Sequence, residues 1–177
     1  MTTDQAASLT AAQVQGFTTG QMSAFETSDL NALSTTALRA LAPDQIGALS
    51  TTQVSAFGTQ QMAAFSSNQV AAVRTDQLAA LRPQAMAGLD ASDVQALSTE
   101  QVAALQSAQV AAMSTTNLAA LSNEQLASLS ESSVSALTSP QMLALSYSQV
   151  EAFTVDQVSA PCRSRTSRPC ASRRCRR

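Results

Sequence analysis

The sequence contains no histidine and no tryptophan, and no lysine appears anywhere in its 177 residues. Aromatic residues make up 3% and charged residues 12% of the chain, where an ordinary globular protein carries roughly 25% charge. The missing His and Lys remove the side chains most often used to activate a nucleophile or move a proton, leaving only carboxylates for such work. Glycine is scarce, at 5 residues, which weighs against a fold built from many tight turns. No run approaches the roughly 18 apolar residues of a membrane helix. The opening MTTDQAAS has neither a basic region nor an apolar run, so no signal peptide is expected.

Cysteine is missing from residues 1–160, and Cys162, Cys170 and Cys175 all follow. Charge divides at the same place. Residues 1–160 hold all 12 acidic residues and only Arg39, Arg74 and Arg82, a net of −9. Residues 161–177 hold seven Arg and no acid, a net of +7. The formal charge of −2 is the difference between two unlike segments.

What fills 1–160 is one phrase of eight residues written twenty times without insertion or deletion. From Leu49 it reads LSTTQVSA and from Leu97 LSTEQVAA. Position one is always Leu, Phe, Val or Met, and position six is aliphatic in every octad after the first, which has Ala6. Position two is usually Ser or Thr, position five is Gln in 14 octads, and position eight is Ala, Gly or Ser. A period this short makes each octad one structural unit that stacks on its neighbours.

These preferences describe a helix start. Ser or Thr at position two with Gln at position five forms the S/T-x-x-Q capping box, and positions one and six fall where the hydrophobic staple requires. Pro43 and Pro83 occupy position three, the first helical residue, where a missing N–H costs nothing. Asp4, Asp44, Asp76 and Asp156 sit at position four, in the first turn, where a carboxylate favours the helix dipole. Each helix must end before the next cap, so it has about six or seven residues and is too short to persist alone. Its stability must come from burying positions one and six against other octads. Small residues at position eight allow close backbone approach. Met22, Met62, Met86 and Met142, all at position six, are expected to fill the core.

A continuous helix turns 800° in eight residues, so its apolar stripe would drift by about 80° per octad and form no face. A β-solenoid, the alternative reading, conflicts with the abundant Ala and with apolar positions that do not alternate. The expected fold is therefore all-α: a solenoid of about twenty very short capped helices over 1–160. A disordered Arg/Cys-rich tail is expected over 161–177. The number of octads per superhelical turn is not legible, because no even/odd alternation is superposed on the octad. The array is in register at Met1 and neither end carries the atypical capping repeat of a solenoid. The chain is accordingly expected to be a piece of a longer repeat protein or a truncated reading frame.

The phrases LSTTQVSAF from Leu49 and LSTEQVAAL from Leu97 resemble the Ala/Thr/Gln-rich octapeptide tandem repeats of large bacterial proteins, which are grouped under adhesin, haem-utilisation and exoprotein labels. The resemblance covers 1–160. It implies a bacterial, extended parent that is secreted or on the cell surface, and it transfers no catalytic or binding residue. Without His, only Met, Cys or Tyr could ligate a haem. LAPDQIGALS from Leu41 is also similar to the opening of a transcription-activator-like effector repeat. Those repeats are several times longer and have a Gly-rich base-reading loop absent here, and an array of net −9 repels phosphates.

No constellation in the array points to catalysis, a cofactor or a metal. Asp29 and Asp93, both at position five, read as Gln replacements in a cap. The Ser and Thr residues of positions two and three, such as Thr18, Thr19, Thr35, Thr51 and Thr115, read as caps and solvated first turns. In the tail, Arg could contact nucleic acid weakly, and three irregularly spaced thiols fit a zinc site poorly. An out-of-frame extension of GC-rich repeat DNA accounts for its Arg, Ser, Pro and Cys without Lys. The expectation is a non-enzymatic structural or interaction scaffold with an unknown protein or surface partner and no small-molecule substrate. The alternative is a binding module presenting a Thr/Ser/Gln face to glycan, ice or protein.

Overall fold

The computed structural model describes residues 1–163. Among them lie nineteen α-helices, one 3-10 helix (Pro83–Gly88) and no strand, so the fold is all-α. Numbering the octads from Met1, every helix begins at position three of its octad, from Thr3–Ala7 in octad 1 to Val155–Arg163 in octad 20. Most are five or six residues long, as in Thr51–Ser55 and Asn123–Ser128. The last runs three residues past the octad boundary, to Arg163. Residues 164–177 lie outside the described residues, and with them the expectations of a disordered, nucleic-acid-contacting or frame-shifted tail.

The cap chemistry is the one read from the sequence. Position two is extended, as at Ser50 (φ −74°, ψ 159°), which stops the preceding helix and starts the next. The Ser50 hydroxyl accepts from the Gln53 backbone N–H (3.1 Å), and the Gln53 side-chain Oε1 accepts from the Ser50 N–H (2.7 Å). Where position two is Ala42, Gly58, Arg74 or Gln106, only the second half of the box forms, at 2.7–3.0 Å. The box is wholly absent in two octads: Glu26 and Asp29 form none and Thr27–Ala32 is α-helical, whereas Pro83–Gly88 is 3-10. In the 3-10 segment Arg82 supplies no capping oxygen, Ala85 stands in place of Gln, and the Ala85 N–H bonds the Arg82 carbonyl at 2.9 Å.

Each helix ends without a left-handed residue; among the described residues no backbone φ is positive. The N–H of position one instead closes on the carbonyl of position six, as from Leu49 to Ile46 (3.1 Å) and Phe57 to Val54 (3.0 Å). The chain then leaves through two extended residues. Helix ends that do not need a left-handed C-cap do not need Gly there, and the scarcity of Gly follows.

Packing supplies what the short helices lack. Position six is at most 1% exposed from Ala6 to Leu126, and position one at most 5% from Leu33 to Leu129. These side chains form one continuous core. Each helix packs mainly on the helix three octads away: Thr3–Ala7 on Thr27–Ala32, Ala11–Gln15 on Thr35–Arg39, Thr115–Ala120 on Ser139–Ala144. Hydrogen bonds also link residues 25 apart, as from Thr59 to Gln84, and 28 to 31 apart, as from Gln77 to Leu49 and Ile46. A superhelical turn therefore takes between three and four octads, the quantity the sequence did not reveal. Of the four position-six methionines, Met22, Met62 and Met86 are buried as expected. Met142 is 38% exposed, because no later octad covers octad 18 among the described residues.

Candidate functional site

The recurring polar feature of the array is the position-five carboxamide. In every Gln octad its Oε1 accepts the N–H of the cap residue, at distances such as 2.7 Å in Gln45 and 2.8 Å in Gln109. From octad 6 onward its Nε2 does something the capping box does not require. Gln45 Nε2 donates to the carbonyls of Val14 (2.9 Å) and Phe17 (2.7 Å), 31 and 28 residues earlier. Gln69 reaches Leu38 and Leu41 (2.9 and 2.8 Å), Gln109 reaches Leu78 and Leu81 (both 2.8 Å), and Gln141 reaches Val110 and Met113 (2.8 and 2.9 Å). The targets lie at the helix end of the octad four back, mostly its position six and the position one that follows; Gln101 and Gln149 use positions seven and one, and Gln61 reaches only the Asn31 carbonyl, at 3.4 Å.

Those carbonyls belong to a helix C-terminus, where backbone acceptors have no intrahelical partner and the dipole is negative. The glutamine thus offers its oxygen to the positive end of its own helix and its N–H groups to the negative end of another. One neutral side chain splints two helices with matched polarity at both ends. The amides are correspondingly buried; Gln77 is 0% and Gln109 1% exposed. No buried side-chain polar atom among the described residues is left unpartnered.

Natural substitutions at position five grade the requirement. Asn117, one methylene shorter, ties only to the Leu89 carbonyl (2.6 Å), and Ser133 only to Leu105 (3.0 Å). Ala37 and Ala85 can donate nothing. Asp93 keeps the capping half, accepting from the Asp90 N–H at 3.0 Å while Asp90 accepts from the Asp93 N–H at 2.9 Å. Burial, opposed by that Asp90 bond and reinforced by the nearby Asp90 charge, pushes the Asp93 carboxyl above its ordinary range. Ser92 and the Asp93 N–H hold Asp90 below it. Asp29 departs from the reading of a Gln replacement: it makes no cap, and it lies 2% exposed with an oxygen 3.7 Å from the Met1 amine.

The oxygen half of each glutamine is legible in the capping box, and the nitrogen half is not. One signal was available. A capping box accepts Glu as readily as Gln, yet position five holds 14 Gln and not one Glu. Such a preference is explained only if the other end of the side chain must donate.

The remaining polar residues lie outside. Position-two hydroxyls are occupied as caps, and Thr35, Thr36, Thr99, Thr115 and Thr116 are exposed. With the internal glutamines buried, the exposed polar face is one of Ser and Thr. An open cleft of about 620 Å³ lies between octads 5 and 8, lined by Thr35, Thr36, Arg39, Gln60, Ala63 and Ala64. Its one cation, Arg39, donates from Nε to the Ala64 carbonyl at 3.0 Å and so bridges the cleft. Among the described residues no three His, Cys, Asp or Glu side chains converge as metal ligands, and no helix is long and apolar enough to cross a membrane.

Short helices of one pattern, most of them from octad 6 onward tied to the octad four back, define a tandem-repeat protein of solenoid type. Residues 22–59, 86–123 and 110–147 match the ALTTAQ repeat, together more than half of the chain, which belongs to that family. The six letters fall on position eight followed by positions one to five, as in Ala48, Leu49, Ser50, Thr51, Thr52 and Gln53. They therefore span the residue before the helix, the cap and the splinting glutamine. No curated protein and no solved structure matches the chain.

Proposed function

We propose that this array is a non-catalytic structural scaffold, a repeat segment of a larger bacterial protein that is secreted or displayed on the cell surface. It acts through its length and its outer surface. The observation that carries this reading is the use made of its polar side chains: the position-two hydroxyls are consumed in capping their own helices and the internal position-five amides in holding helix to helix. What stays exposed is mainly Ser, Thr and Ala, which are poor in the charge and aromatic surface that dominate tight interfaces.

Simultaneous substitution of exposed residues in octads 13–16, such as Thr99→Ser, Glu100→Gln, Thr115→Ser and Thr116→Ala, tests it. A scaffold keeps its far-UV circular dichroism, melting temperature and hydrodynamic radius, and the parent protein keeps its behaviour. A second reading, a binding module, is favoured by the exposed Thr at position three that recurs down the array. Under that reading, replacing those Thr residues abolishes retention on a glycan array while the helical spectrum persists, and the scaffold reading falls.

A further inference from the structure

The side-chain ties that hold turn to turn fail together at one level in the interior of the array. Position five is Ala85 in octad 11 and Asp93 in octad 12, and neither side chain carries an amide. The ties on either side come from Gln77, which reaches Ile46 and Leu49, and Gln101, which reaches Ala71 and Val73. The spacing of 31 and 28 residues assigns the Val54 and Phe57 carbonyls to Ala85, and those of Met62 and Phe65 to Asp93. Among the described residues these four carbonyls receive no side-chain donor.

Each tie spans four octads, so the two absences weaken the same boundaries. Of the position-five ties, only those of Gln69 and Gln77 cross between octads 8 and 9. Only those of Gln101 and Gln109 cross between octads 10 and 11. Between octads 13 and 14, by contrast, Gln109, Asn117, Gln125 and Ser133 all cross. Between octads 6 and 7 the ties of Gln53, Gln61, Gln69 and Gln77 cross, with Gln61 the longest at 3.4 Å. Octads 8 to 11 (57–88) thus form a half-tied level with fuller ties on both sides. The other side-chain bonds across it lie outside: Thr59 to the Gln84 carbonyl (2.9 Å), Ser67 to Ser92 (3.3 Å), and Arg74 to the Gly47 carbonyl. Exposed bonds of this kind compete with water and add less than buried ones. The close approach of Pro83–Gly88 to Thr59–Ala64 is made at Gly88, which buries no side chain.

We propose that the array is two cooperative blocks, and that octads 8 to 11 are where they part. In a stacked array each repeat is held by its interfaces with neighbours, so the weakest interior interface divides the whole into separate units. The two missing ties are consecutive along the superhelix, so the gap takes up one side of a turn and the level opens on that side. The division holds whether the array serves as a scaffold or as a binding module.

Guanidinium unfolding of the full chain, under reducing conditions at neutral pH and read peptide by peptide through hydrogen exchange, tests it. Two transitions are expected, with midpoints about 0.5 M or more apart, and the change from one to the other falls within 57–88. The variant A85Q/D93Q supplies both missing amides, and its midpoints converge. Octad 6 shows that the first change suits a proline start, since Pro43 there precedes the tied Gln45. The variant Q77A/Q101A leaves no position-five tie between octads 9 and 10, and its midpoints move further apart. A single transition in the parent overturns the proposal, as does a boundary outside 57–88. So does either variant, once folded, if its midpoints stay as far apart as the parent's. Should a variant fail to fold, the parent's own transitions decide.

Discussion

A single carboxamide decides how each octad of this protein meets the rest, and it does so with both of its polar atoms. Changing Gln77 to Glu keeps the acceptor for the Arg74 N–H but places a carboxylate against the Ile46 and Leu49 carbonyls, now reached at 3.0 and 2.6 Å. A buried acceptor facing acceptors should cost about 2–4 kcal/mol at neutral pH. The same change at exposed Gln5 should cost less than about 0.5 kcal/mol. Chemical denaturation of the two variants compares them, and equal losses would remove the splint from the account.

Asp93 provides the corresponding pH test. Its carboxyl is raised above the ordinary range by burial, so the folded protein holds that proton more tightly than the unfolded chain does. Stability from this group is then greatest below the ordinary Asp value of about 3.9 and declines as pH rises through the folded-state value. Asp93→Gln cannot titrate, and it gains an amide to offer the Met62 and Phe65 carbonyls. Its melting temperature should exceed that of the parent at neutral pH by more than it does near pH 3. A difference that does not change with pH would mean that Asp93 is ionised without penalty.

At the scale of the helix, the sequence was most legible where local chemistry decides. Cap, staple and N-terminal proline all act within one octad, and each placed the helix start at position three, where it is found throughout. The core was legible for the same reason: Leu78 and Val102 are both 0% exposed, at the position the staple assigns. The tie from Gln77 to octad 6 was not legible, because it depends on which octad lies beneath, and an unvarying repeat holds no mark of that. The 3-10 helix Pro83–Gly88 was not legible either, since loss of both halves of the box does not mark it: octad 4 lacks both and is α-helical. This helix lies close on Thr59–Ala64. A Cβ on Gly88 would come within 2.2 Å of the Thr59 carbonyl oxygen, whereas one on Gly20 meets only Thr18 Oγ1 at 3.9 Å. Gly88→Ala should therefore destabilise the protein by about 1–3 kcal/mol. Gly20→Ala, in an open helical site, should stabilise it by up to about 1 kcal/mol. Thermal melts of the pair suffice, and a harmless Gly88→Ala would show that the two helices can separate at little cost.

For the molecule as a whole, stability is distributed by the ties. Octads 13 to 16 (97–128) both give and receive them: Gln101 donates to Val73 and Gln125 to Leu97, while Ser133, Gln141, Gln149 and Gln157 cover their ends. Octads 2 and 3 only receive, octad 1 does neither because Ala37 in octad 5 has no amide to give, and octads 18 to 20 only give. Hydrogen exchange should accordingly be slowest over 97–128 and fastest in the outer octads, in the manner of a one-dimensional array. Uniform protection from end to end would instead indicate a single cooperative unit. Ion pairs play little part, since the described residues show only Met1 with Asp29 and exposed Arg74 with Asp76, and exposed pairs contribute little.

The turns between helices use extended backbone alone, with no left-handed residue and no special hinge. Deleting or duplicating one whole octad therefore moves the downstream chain by one step along the superhelix, and each amide finds an equivalent carbonyl beneath it. A gene of this kind can lengthen or shorten by replication slippage, in units that preserve the reading frame, without passing through a misfolded product. Rod length in such a protein is a heritable variable that selection can adjust one octad at a time.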